Sequence, residues 1–589
     1  MTRLLAAVAF ALCVPPLTAA EKPNVVLIVL DDAGQRDFGC YGSTYHKSPH
    51  LDALAKQGVR FTEATSASPV CSPTRVAILT GRHPVRYGLT DWVPGQPPRP
   101  GQRLVGPKNA TALPLAAVTV GEHFRAAGYR TAHIGKWHLG GPGFAPTEQG
   151  FDLNVGGSAA GHPPSYFAPY GPSITGLGAA PTGEYLTDRL TDEAVRFVAA
   201  EPGKPFFLCL AHYAPHTPLQ ARPEVVARYA PGKLGAQGNP TYAAMIESLD
   251  DSLARLLRAL DDAKVAGNTV VILTSDNGGL ATLEGMAKPA TFNGPYREGK
   301  GYLYEGGLRV PLVIRAPGVK PAVLAGAVDS IDLLPTLLDL CGLPAEPKDF
   351  DGVSLAKVLH GSELPARSLV HFYPHYANQG GKPGVAIRRG DWKLLVDYET
   401  DRGELYDLKA DPGEGRNVAA ENAKVVAELR GEIDAWVKSR GAKLPTPNPK
   451  YRPNPPDATG VITMHARTAT VTGTQLRYEP LPHKDTLGYW VRVEDTASFD
   501  FTAVTPGDYA VEVLQGCGKG SGGSEVELSV GDAKLTFTVK DTGGFQAFER
   551  RAVGTLSVKA GRQTLLVQPL TKPGAAVMDL REVVLRPAK

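Results

Sequence analysis

The sequence predicts an α/β protein with a mainly parallel central sheet flanked by helices, a small antiparallel-sheet subdomain and a C-terminal β-sandwich. Apolar runs in the first half of the chain, such as residues 24–30 and 269–274, lack polar alternation and are typical of strands buried on both faces. From about residue 368, short strands separated by turn residues indicate a small antiparallel sheet. Beyond residue 461, short apolar strands alternate with Gly, Asp and Pro turns, which is the pattern of a β-sandwich.

Length and composition restrict the class of protein. A chain of 589 residues is too long for one compact core and predicts two to four domains, at about 100–200 residues each. Hydrophobic residues make up 43% of the chain and charged residues 21%, as in a folded soluble protein. The net charge is only +3 and the sequence has no long lysine and arginine run, so nucleic acid is not expected as a partner.

The chain is predicted to divide into five segments. Residues 1–20 have one early basic residue, Arg3, an apolar run and Thr18-Ala19-Ala20, as in a secretory signal peptide that is too short for a permanent transmembrane anchor. We therefore expect an exported protein, periplasmic or secreted. The other predicted segments are a catalytic α/β domain (21–367), its C-terminal subdomain with a small antiparallel sheet and a helix (368–443), a Pro-rich linker (444–460) and a β-sandwich (461–589), a candidate carbohydrate-binding module.

Four of the apolar strands are each followed by acidic, basic or histidine side chains. In chain order these are Asp31 and Asp32, Lys136 and His138, His212 and His216, and Asp276 and Asn277. Ligands of open α/β sheets bind at the carboxyl ends of the strands, so these side chains predict one shared site. Because adjacent carboxylates repel each other, a hard metal ion is the economical interpretation of the aspartate pair, and an ordinary strand-end turn is the alternative.

Two further segments carry candidate site residues. Pro73 suits the first position of a helix, and a helix that begins near Cys71 would favour an anion there. The alternative is that Cys71 is simply a small buried residue. The five cysteines beyond residue 20 are scattered and odd in number, which does not indicate a disulfide framework. Glycines on both sides of Lys300 would let the backbone approach a ligand, with an ordinary surface lysine as the alternative.

With these residues in view, the chain resembles the formylglycine-dependent (type I) sulfatases, in particular the arylsulfatase and N-acetylgalactosamine-6-sulfatase group, whose fold is alkaline phosphatase-like. The resemblance spans about residues 22–448 and includes the Cys-x-Pro-x-Arg signature followed by Leu-Thr-Gly, here Cys71, Pro73, Arg75 and residues 79–81. It implies that a formylglycine-generating maturation enzyme oxidises Cys71, and that the hydrated aldehyde is the nucleophile.

The resemblance also implies roles for the other site residues. The implied ligands of one calcium ion are Asp31, Asp32, modified Cys71, Asp276 and Asn277. The implied catalytic residues are Cys71, Arg75, Lys136, His138, His216 and Lys300. In this scheme the two lysines and calcium neutralise the sulfate, and each close opposite charge contributes about 4 kcal/mol at an effective dielectric constant near 20. His216 with Lys300 would protonate the leaving alcohol, and His138 would take a proton from the second hydroxyl of the hydrate.

The function expected from this resemblance is hydrolysis of sulfate esters on sulfated sugars, polysaccharides or aryl sulfates. Two alternatives are a phosphate or phosphonate monoester hydrolase on the same fold and a non-catalytic secreted glycan-binding protein. Gln35, Arg36 and Glu298 differ from the residues commonest in the family, which affects the expected substrate rim. Trp392, Trp490 and the aromatic residues of 371–376 are candidates for sugar contact, with buried structural roles as the alternative.

Overall fold

The computed structural model describes residues 22–232, 236–284 and 286–588. The predicted signal peptide therefore lies outside the described residues. Within the described part of the chain, no helix is both long enough and apolar enough to cross a membrane.

The first 340 residues contain the central sheet and most of the helices. The strands of this region are β1 (Asn24–Leu30), β2 (Val59–Phe61), β3 (Ala64–Thr65), β4 (Leu104–Val105), β5 (Arg130–Gly135), β6 (Leu153–Val155), β7 (Phe206–Ala211), β8 (Thr269–Ser275), β9 (Leu312–Arg315), β10 (Ala322–Leu324) and β11 (Val328–Asp329). Its helices are α1 (Pro49–Gln57), α2 (Cys71–Thr80), α3 (Val120–Ala126), α4 (Leu186–Ala199), α5 (Pro223–Val226), α6 (Pro240–Asp262), α7 (Glu305–Leu308) and α8 (Leu333–Leu340).

The central sheet has eight strands in the order β10-β2-β9-β8-β1-β7-β5-β6. The five strands from β8 to β6 are mutually parallel, whereas β9 runs antiparallel to both of its neighbours. All seven residues of β1 are buried. Alternate side chains enter different cores: Val26 and Ile28 pack in the core that contains α4 and α6, and Leu27 and Val29 pack in the core that contains α2 and α8. The predicted parallel sheet with helices on both faces is confirmed.

The first residues of two helices show how local interactions set a helix start. Helix α6 begins at Pro240, where the Asn239 side chain caps it by accepting hydrogen bonds from the N–H groups of Thr241 and Tyr242. Helix α2 begins at Cys71, so Pro73 is the third helical residue and not the first. Proline is still tolerated there, because the N–H groups of the first turn have no partner within the helix.

The antiparallel subdomain follows the central sheet. Its elements are α9 (Ala356–Leu359), β12 (Ser368–Tyr373), β13 (Gly384–Arg389), β14 (Trp392–Asp397), β15 (Arg402–Asp407), α10 (Ala423–Arg440) and β16 (Thr446–Pro447). Strands β12 to β15 form a four-stranded antiparallel sheet. Leu429 and Ile433 of α10 pack on its apolar face. Strand β16 lies in the proline-rich segment and pairs with β4, so this segment is held against the first part of the chain.

The last 130 residues form the predicted β-sandwich. Its strands are β17 (Ile462–His465), β18 (Thr470–Thr472), β19 (Arg477–Glu479), β20 (Thr486–Gly488), β21 (Thr496–Ala503), β22 (Gly507–Cys517), β23 (Glu525–Val530), β24 (Ala533–Thr538), β25 (Gly544–Val558), β26 (Gly561–Pro569) and β27 (Asp579–Pro587). One sheet has the order β19-β20-β27-β22-β25, with β17 also on β27, and the other has the order β18-β21-β26-β23-β24. Trp490 is fully buried in the core between the sheets, so it has the structural role and not the sugar-contact role.

Candidate active site

The predicted strand-end residues converge at one edge of the central sheet. Strands β8, β1, β7 and β5 are consecutive neighbours and parallel, so their carboxyl ends lie side by side. The side chains delivered there are Asp276 and Asn277, Asp31 and Asp32, His216, and Lys136 and His138. The first turn of α2 adds Cys71 and Arg75, and the loop before α7 adds Lys300. The structure therefore brings these candidate catalytic and metal-binding residues together. His212 is the exception among the predicted strand-end residues, because its side chain is buried beside α6 with Nε2 3.0 Å from Ser252 Oγ.

Cys71 lies at the centre of this cluster and is only 2% exposed. Its Sγ is 3.5 Å from Asp31 Oδ1 and 3.9 Å from Asp32 Oδ1. Burial raises the pKa of the thiol, and the nearby carboxylates Asp276 and Asp31 act in the same direction. Because the thiolate and not the thiol is the nucleophile, unmodified Cys71 is a weak nucleophile in this environment.

The two aspartates after β1 are each paired with a lysine. Lys136 Nζ donates to Asp31 Oδ2 at 2.7 Å, and Lys300 Nζ donates to Asp32 Oδ2 at 2.8 Å. Burial and then the charges of the neighbouring aspartates raise the pKa of Asp31 well above its usual value, against the opposing effect of Lys136. Burial also acts to raise the pKa of Asp32, but the charges of Lys300 and other nearby cationic groups outweigh it and lower that pKa. Each aspartate thus has a cationic side chain at hydrogen-bonding distance.

Arg75 is held rigidly on the same face of α2 as Cys71, one helical turn away. Its Nε and Nη2 donate to Asp276 Oδ2 at 2.9 and 2.8 Å, and its Nη1 donates to the Lys136 carbonyl at 2.7 Å. Charge-assisted hydrogen bonds of this kind fix the guanidinium plane. Arg75 thus connects the first turn of α2 to the ends of β8 and β5.

His216 and Lys300 form a hydrogen-bonded pair in the cluster. His216 Nδ1 donates to the Thr217 carbonyl at 2.7 Å, which leaves Nε2 as the acceptor that faces Lys300 Nζ at 3.0 Å. Burial and then the Lys300 charge lower the pKa of His216 well below its usual value. Burial acts to lower the pKa of Lys300 too, but the Asp32 charge outweighs it and raises that pKa. Lys300 is therefore the donor and His216 Nε2 the acceptor of this hydrogen bond.

His138 lies just beyond the end of β5 and is buried. Its Nε2 donates to the Val93 carbonyl at 2.7 Å, and its buried Nδ1 has no hydrogen-bond partner among the described residues. Burial and the Lys136 charge lower the pKa of His138 well below its usual value. The residue has φ of +58°, and its backbone is held by hydrogen bonds with Ser158 and Ser72. Nδ1 is thus an oriented and unused proton acceptor.

The same cluster has the donor set of a hard cation. Ligand atoms of Asp31, Asp32, Cys71 and His216 lie within 4.8 Å of one another. Asn277 Nδ2 donates to Asp32 Oδ1 at 2.8 Å, and the buried Asn277 Oδ1 has no partner among the described residues. A buried amide oxygen without a donor beside crowded carboxylates fits Ca²⁺, which prefers carboxylate and carbonyl oxygens.

The unusual residues noted in the sequence lie away from the cluster. Gln35 is 3% exposed, and its side chain bonds the Thr62 and Val310 carbonyls. Arg36 donates to the Tyr41 carbonyl. Glu298 precedes Lys300 by two positions but lines a separate cavity. None of these three contacts the cluster, so the expectation that they shape the substrate rim finds no support in the geometry.

Sequence reasoning missed two side chains beside the cluster. The His162 ring lies parallel to the His216 ring with 6.0 Å between centroids. Glu284 accepts a hydrogen bond from Gln379 at 2.6 Å, and burial raises its pKa despite the nearby Lys300. Both residues lie in loops with no strand or helix pattern to indicate their direction. Only the glycine and proline residues around His162 marked its segment as a loop.

Two family models match the chain. The model described as Sulfatase matches residues 23–343, and the model described as N-sulphoglucosamine sulphohydrolase, C-terminal, matches residues 298–439. Together they cover the central sheet and the antiparallel subdomain, and they end before the sandwich begins.

Curated proteins and solved structures are similar over the same proportion of the chain. Arylsulfatase A of Homo sapiens is 33% identical over 482 residues, which cover 72% of this chain and 90% of that protein. N-acetylgalactosamine-6-O-sulfatase of Bacteroides thetaiotaomicron is 30% identical over 510 residues, covering 72% and 94%. The crystal structure of Ps i-CgsB in complex with k-i-k-neocarrahexaose is 31% identical with a TM-score of 0.60, covering 70% of this chain and 92% of that one. The chain belongs to the type I sulfatase family with an alkaline phosphatase-like fold, and the protein is a sulfatase.

Proposed function

We propose that this sulfatase is exported and removes sulfate from sulfated carbohydrates, using formylglycine made from Cys71 and one calcium ion. The observation that carries the proposal is the position of Cys71, buried between two aspartates that are each paired with a lysine. The calcium ligands would be Asp31, Asp32, modified Cys71, Asp276 and Asn277. The catalytic residues would be Cys71, Arg75, Lys136, His138, His216 and Lys300.

The proposed substrate class has support from similar proteins. Two of them are named as N-acetylgalactosamine 6-sulfatases, from Sus scrofa and Bacteroides thetaiotaomicron, and Ps i-CgsB was solved with k-i-k-neocarrahexaose. A sulfated sugar also suits the charge of the site, because a sulfate ester is an anion and Lys136, Lys300 and Arg75 supply fixed cations. Each close pair of opposite charges is worth about 4 kcal/mol at an effective dielectric constant near 20.

The chain's own residues divide into groups that bind the anion and groups that move protons. Lys136 and Lys300 would neutralise sulfate oxygens, and Arg75 would orient the side chain at position 71. Lys300, hydrogen-bonded to His216, would deliver a proton to the leaving alcohol oxygen. His138 would accept a proton at Nδ1, which is free for this purpose. When present, calcium supplies further positive charge and the hydrated aldehyde supplies the attacking hydroxyl.

Export and maturation complete the proposal. Residues 1–20 have the composition of a secretory signal, so the enzyme would act in the periplasm or outside the cell on sulfated polysaccharides. Its required partner would be a formylglycine-generating maturation enzyme. The raised pKa of the Cys71 thiol supports a need for this conversion, since the unmodified side chain is a weak nucleophile.

Peptide mass spectrometry tests the maturation directly. The tryptic peptide 61–75 carries position 71, and we expect its mass to show an aldehyde in active enzyme. A Cys71→Ala variant serves as the inactive control. Fully active enzyme whose peptide carries only the unmodified thiol would contradict the proposed nucleophile.

Substrate comparison separates the proposal from its alternatives. We expect faster turnover of aryl sulfates than of aryl phosphates, and a screen of defined sulfated oligosaccharides then identifies the sugar. A strong preference for aryl phosphate would favour the phosphomonoesterase alternative. Tight glycan binding without any turnover by aldehyde-bearing enzyme would favour the non-catalytic alternative.

A further inference from the structure

A cavity, here called the interdomain cavity, lies between the sulfatase part of the chain and the sandwich. Its volume is about 380 Å³, within the range of about 300–1,000 Å³ for small-molecule sites. It is lined by the loop 297–304, by strands β13 to β15 of the antiparallel sheet and by residues 467–478 of the sandwich. None of the candidate catalytic or metal-binding residues lines it, so the cavity is distinct from the sulfatase site.

Glu298 is the unusual group in this cavity. Its side chain is 8% exposed, and its ion-pair partner Arg297 keeps Nε 3.6 Å from Oε1, which is beyond hydrogen-bonding range. Arg297 Nε is itself buried without a hydrogen-bond partner among the described residues, and Glu298 lines the cavity. Glu298 also has φ of +59°, a costly conformation for a residue with a side chain. A carboxylate that lines a cavity and has one loose ion-pair partner can accept hydrogen bonds from a ligand.

Four tyrosines form fixed walls around this carboxylate. Each hydroxyl donates to a protein acceptor: Tyr302 to the Gln379 carbonyl at 2.8 Å, Tyr304 and Tyr406 to Glu404 at 2.8 and 2.7 Å, and Tyr478 to Asp485 at 2.6 Å. Because their hydroxyls are already bonded, the parts of these rings that line the cavity are mainly apolar. Tyr302 and Tyr406 are otherwise buried, and Arg297 lies over the Tyr304 ring at 3.8 Å. Rigid aromatic walls of this kind reduce the entropic cost of binding.

The charge of the lining selects against cationic ligands. The basic side chains are Arg297, Lys382, Arg402, Arg467 and Arg477, and the acidic side chains are Glu298, Asp397 and Glu404. Five cationic and three anionic groups leave an excess of two positive charges. An amine would be repelled by this excess, whereas a ring that carries hydroxyl groups can donate to Glu298, accept from guanidinium groups and rest its apolar face on tyrosine.

We propose that this cavity is a saccharide-binding site in which Glu298 accepts hydrogen bonds from ring hydroxyls. The bound sugar belongs either to an unsulfated or to a sulfated unit of a polysaccharide, since both kinds of unit have a sugar ring with free hydroxyl groups. Binding there does not require turnover at Cys71. The site uses residues from both the sulfatase part and the sandwich. The sandwich would therefore take part in sugar binding through this cavity, and an exposed aromatic surface is not required.

Calorimetric titration of variants tests the site. The probes are unsulfated and sulfated oligosaccharides that contain galactose or N-acetylgalactosamine, and the starting protein carries His216→Ala so that sulfated probes are not consumed. We expect saturable binding that Glu298→Ala weakens about tenfold or more, the scale of one lost hydrogen bond to a charged group. The matched control is Glu525→Ala, because Glu525 is exposed on the sandwich and does not line the cavity. The stronger of the two probe arms identifies the sugar source.

Hydrogen exchange gives a readout that does not depend on the folding of the Glu298→Ala variant. On addition of the same probes to the His216→Ala protein, we expect slower exchange in both 297–304 and 467–478. Equal affinities with and without Glu298, protection confined to the Cys71 site, or no saturable binding of any probe would overturn the proposal. None of these results would bear on sulfate hydrolysis, which the aldehyde and turnover assays test separately.

Discussion

Cys71 shows how a residue's surroundings decide its chemistry. The same burial that raises the pKa of its thiol also excludes water from the charges around it, so Lys136 and Lys300 act at close range in a medium of low dielectric constant. A cysteine that stayed a cysteine would gain nothing from this environment. A neutral side chain with hydroxyl groups at position 71 suits this environment better, because it does not have to be ionised in a buried site before the surrounding charges can position it.

The proton-moving residues yield the first prediction. Replacing His138 or Lys300 with alanine should lower kcat for an aryl sulfate by about 10²–10⁴-fold, the usual contribution of a positioned acid or base. The reason is that His138 Nδ1 is free to take a proton and Lys300 is hydrogen-bonded to both Asp32 and His216. Steady-state kinetics of folded, aldehyde-bearing variants measures the effect. His360→Ala is the control because His360 is exposed, and unchanged kcat in the two site variants would refute their roles.

The unpartnered amide oxygen of Asn277 yields the second prediction. Calcium should raise the melting temperature of the wild-type protein, since a ligand that binds only the folded state stabilises it. Asn277→Ala should reduce this calcium-dependent shift and raise the calcium concentration needed for half-maximal activity, because one buried oxygen ligand is lost. Melting curves with chelator and with added calcium measure both effects. The exposed Asn378 supplies the control Asn378→Ala, and an Asn277→Ala protein with the full wild-type shift would exclude Asn277 as a ligand.

At the scale of elements, the strand ends could be predicted from sequence and the loops between them could not. A buried strand leaves a long apolar run, as in β1 and β8, and its last residues must then lie at the edge of the sheet. The direction of His162 depends instead on how the loop between β6 and α4 folds back onto His216. The pattern of apolar residues does not by itself give the first residue of a helix where a side-chain cap determines it, as Asn239 does for α6. Glu298 differs from the residue commonest in the family, but the cavity that it lines is completed by sandwich residues far away in sequence.

The end of strand β5 yields the third prediction. Gly135 has φ of +104°, and an added Cβ would lie 1.9 Å from the Ala211 carbonyl oxygen, the same oxygen that accepts from Lys136 N–H. Gly135→Ala should therefore separate β5 from β7, lower the stability and remove activity by displacing Lys136. Gly128→Ala is a matched control with φ of +81° and no atom within 4 Å of the new Cβ. It should cost only about 1–2 kcal/mol and keep activity. Denaturant unfolding and aryl sulfate assays compare the two, and equal effects would contradict the steric argument.

At the scale of the whole molecule, side chains and a short strand pair attach the sandwich to the sulfatase part. Strand β16 pairs with β4, so the linker begins as part of the folded structure. Asp500 of the sandwich accepts hydrogen bonds from Arg103 at 3.0 Å and from Tyr451 at 3.1 Å, and Arg477 donates to the Gly415 carbonyl at 3.0 Å. The interdomain cavity lies within this junction, so its shape depends on the position of the sandwich.

Asp500 yields the last prediction, which concerns how firmly the two parts are joined. Asp500→Ala removes the acceptor shared by Arg103 and Tyr451, and the loss of hydrogen bonds to a charged group should weaken the junction by about 1–3 kcal/mol. We expect faster proteolysis within 444–460, a separate melting transition for the sandwich and weaker sugar binding in the interdomain cavity. The turnover rate of Asp500→Ala on a small aryl sulfate should stay within about twofold of the wild-type rate, because the described residues around Cys71 do not contact the sandwich. Glu525→Ala should change none of these properties. If Asp500→Ala left proteolysis and melting unchanged, the strand pair and the Arg477 contact would be what stabilises the junction. If the same variant abolished aryl sulfate turnover, the sulfatase part and the sandwich would function as one catalytic unit.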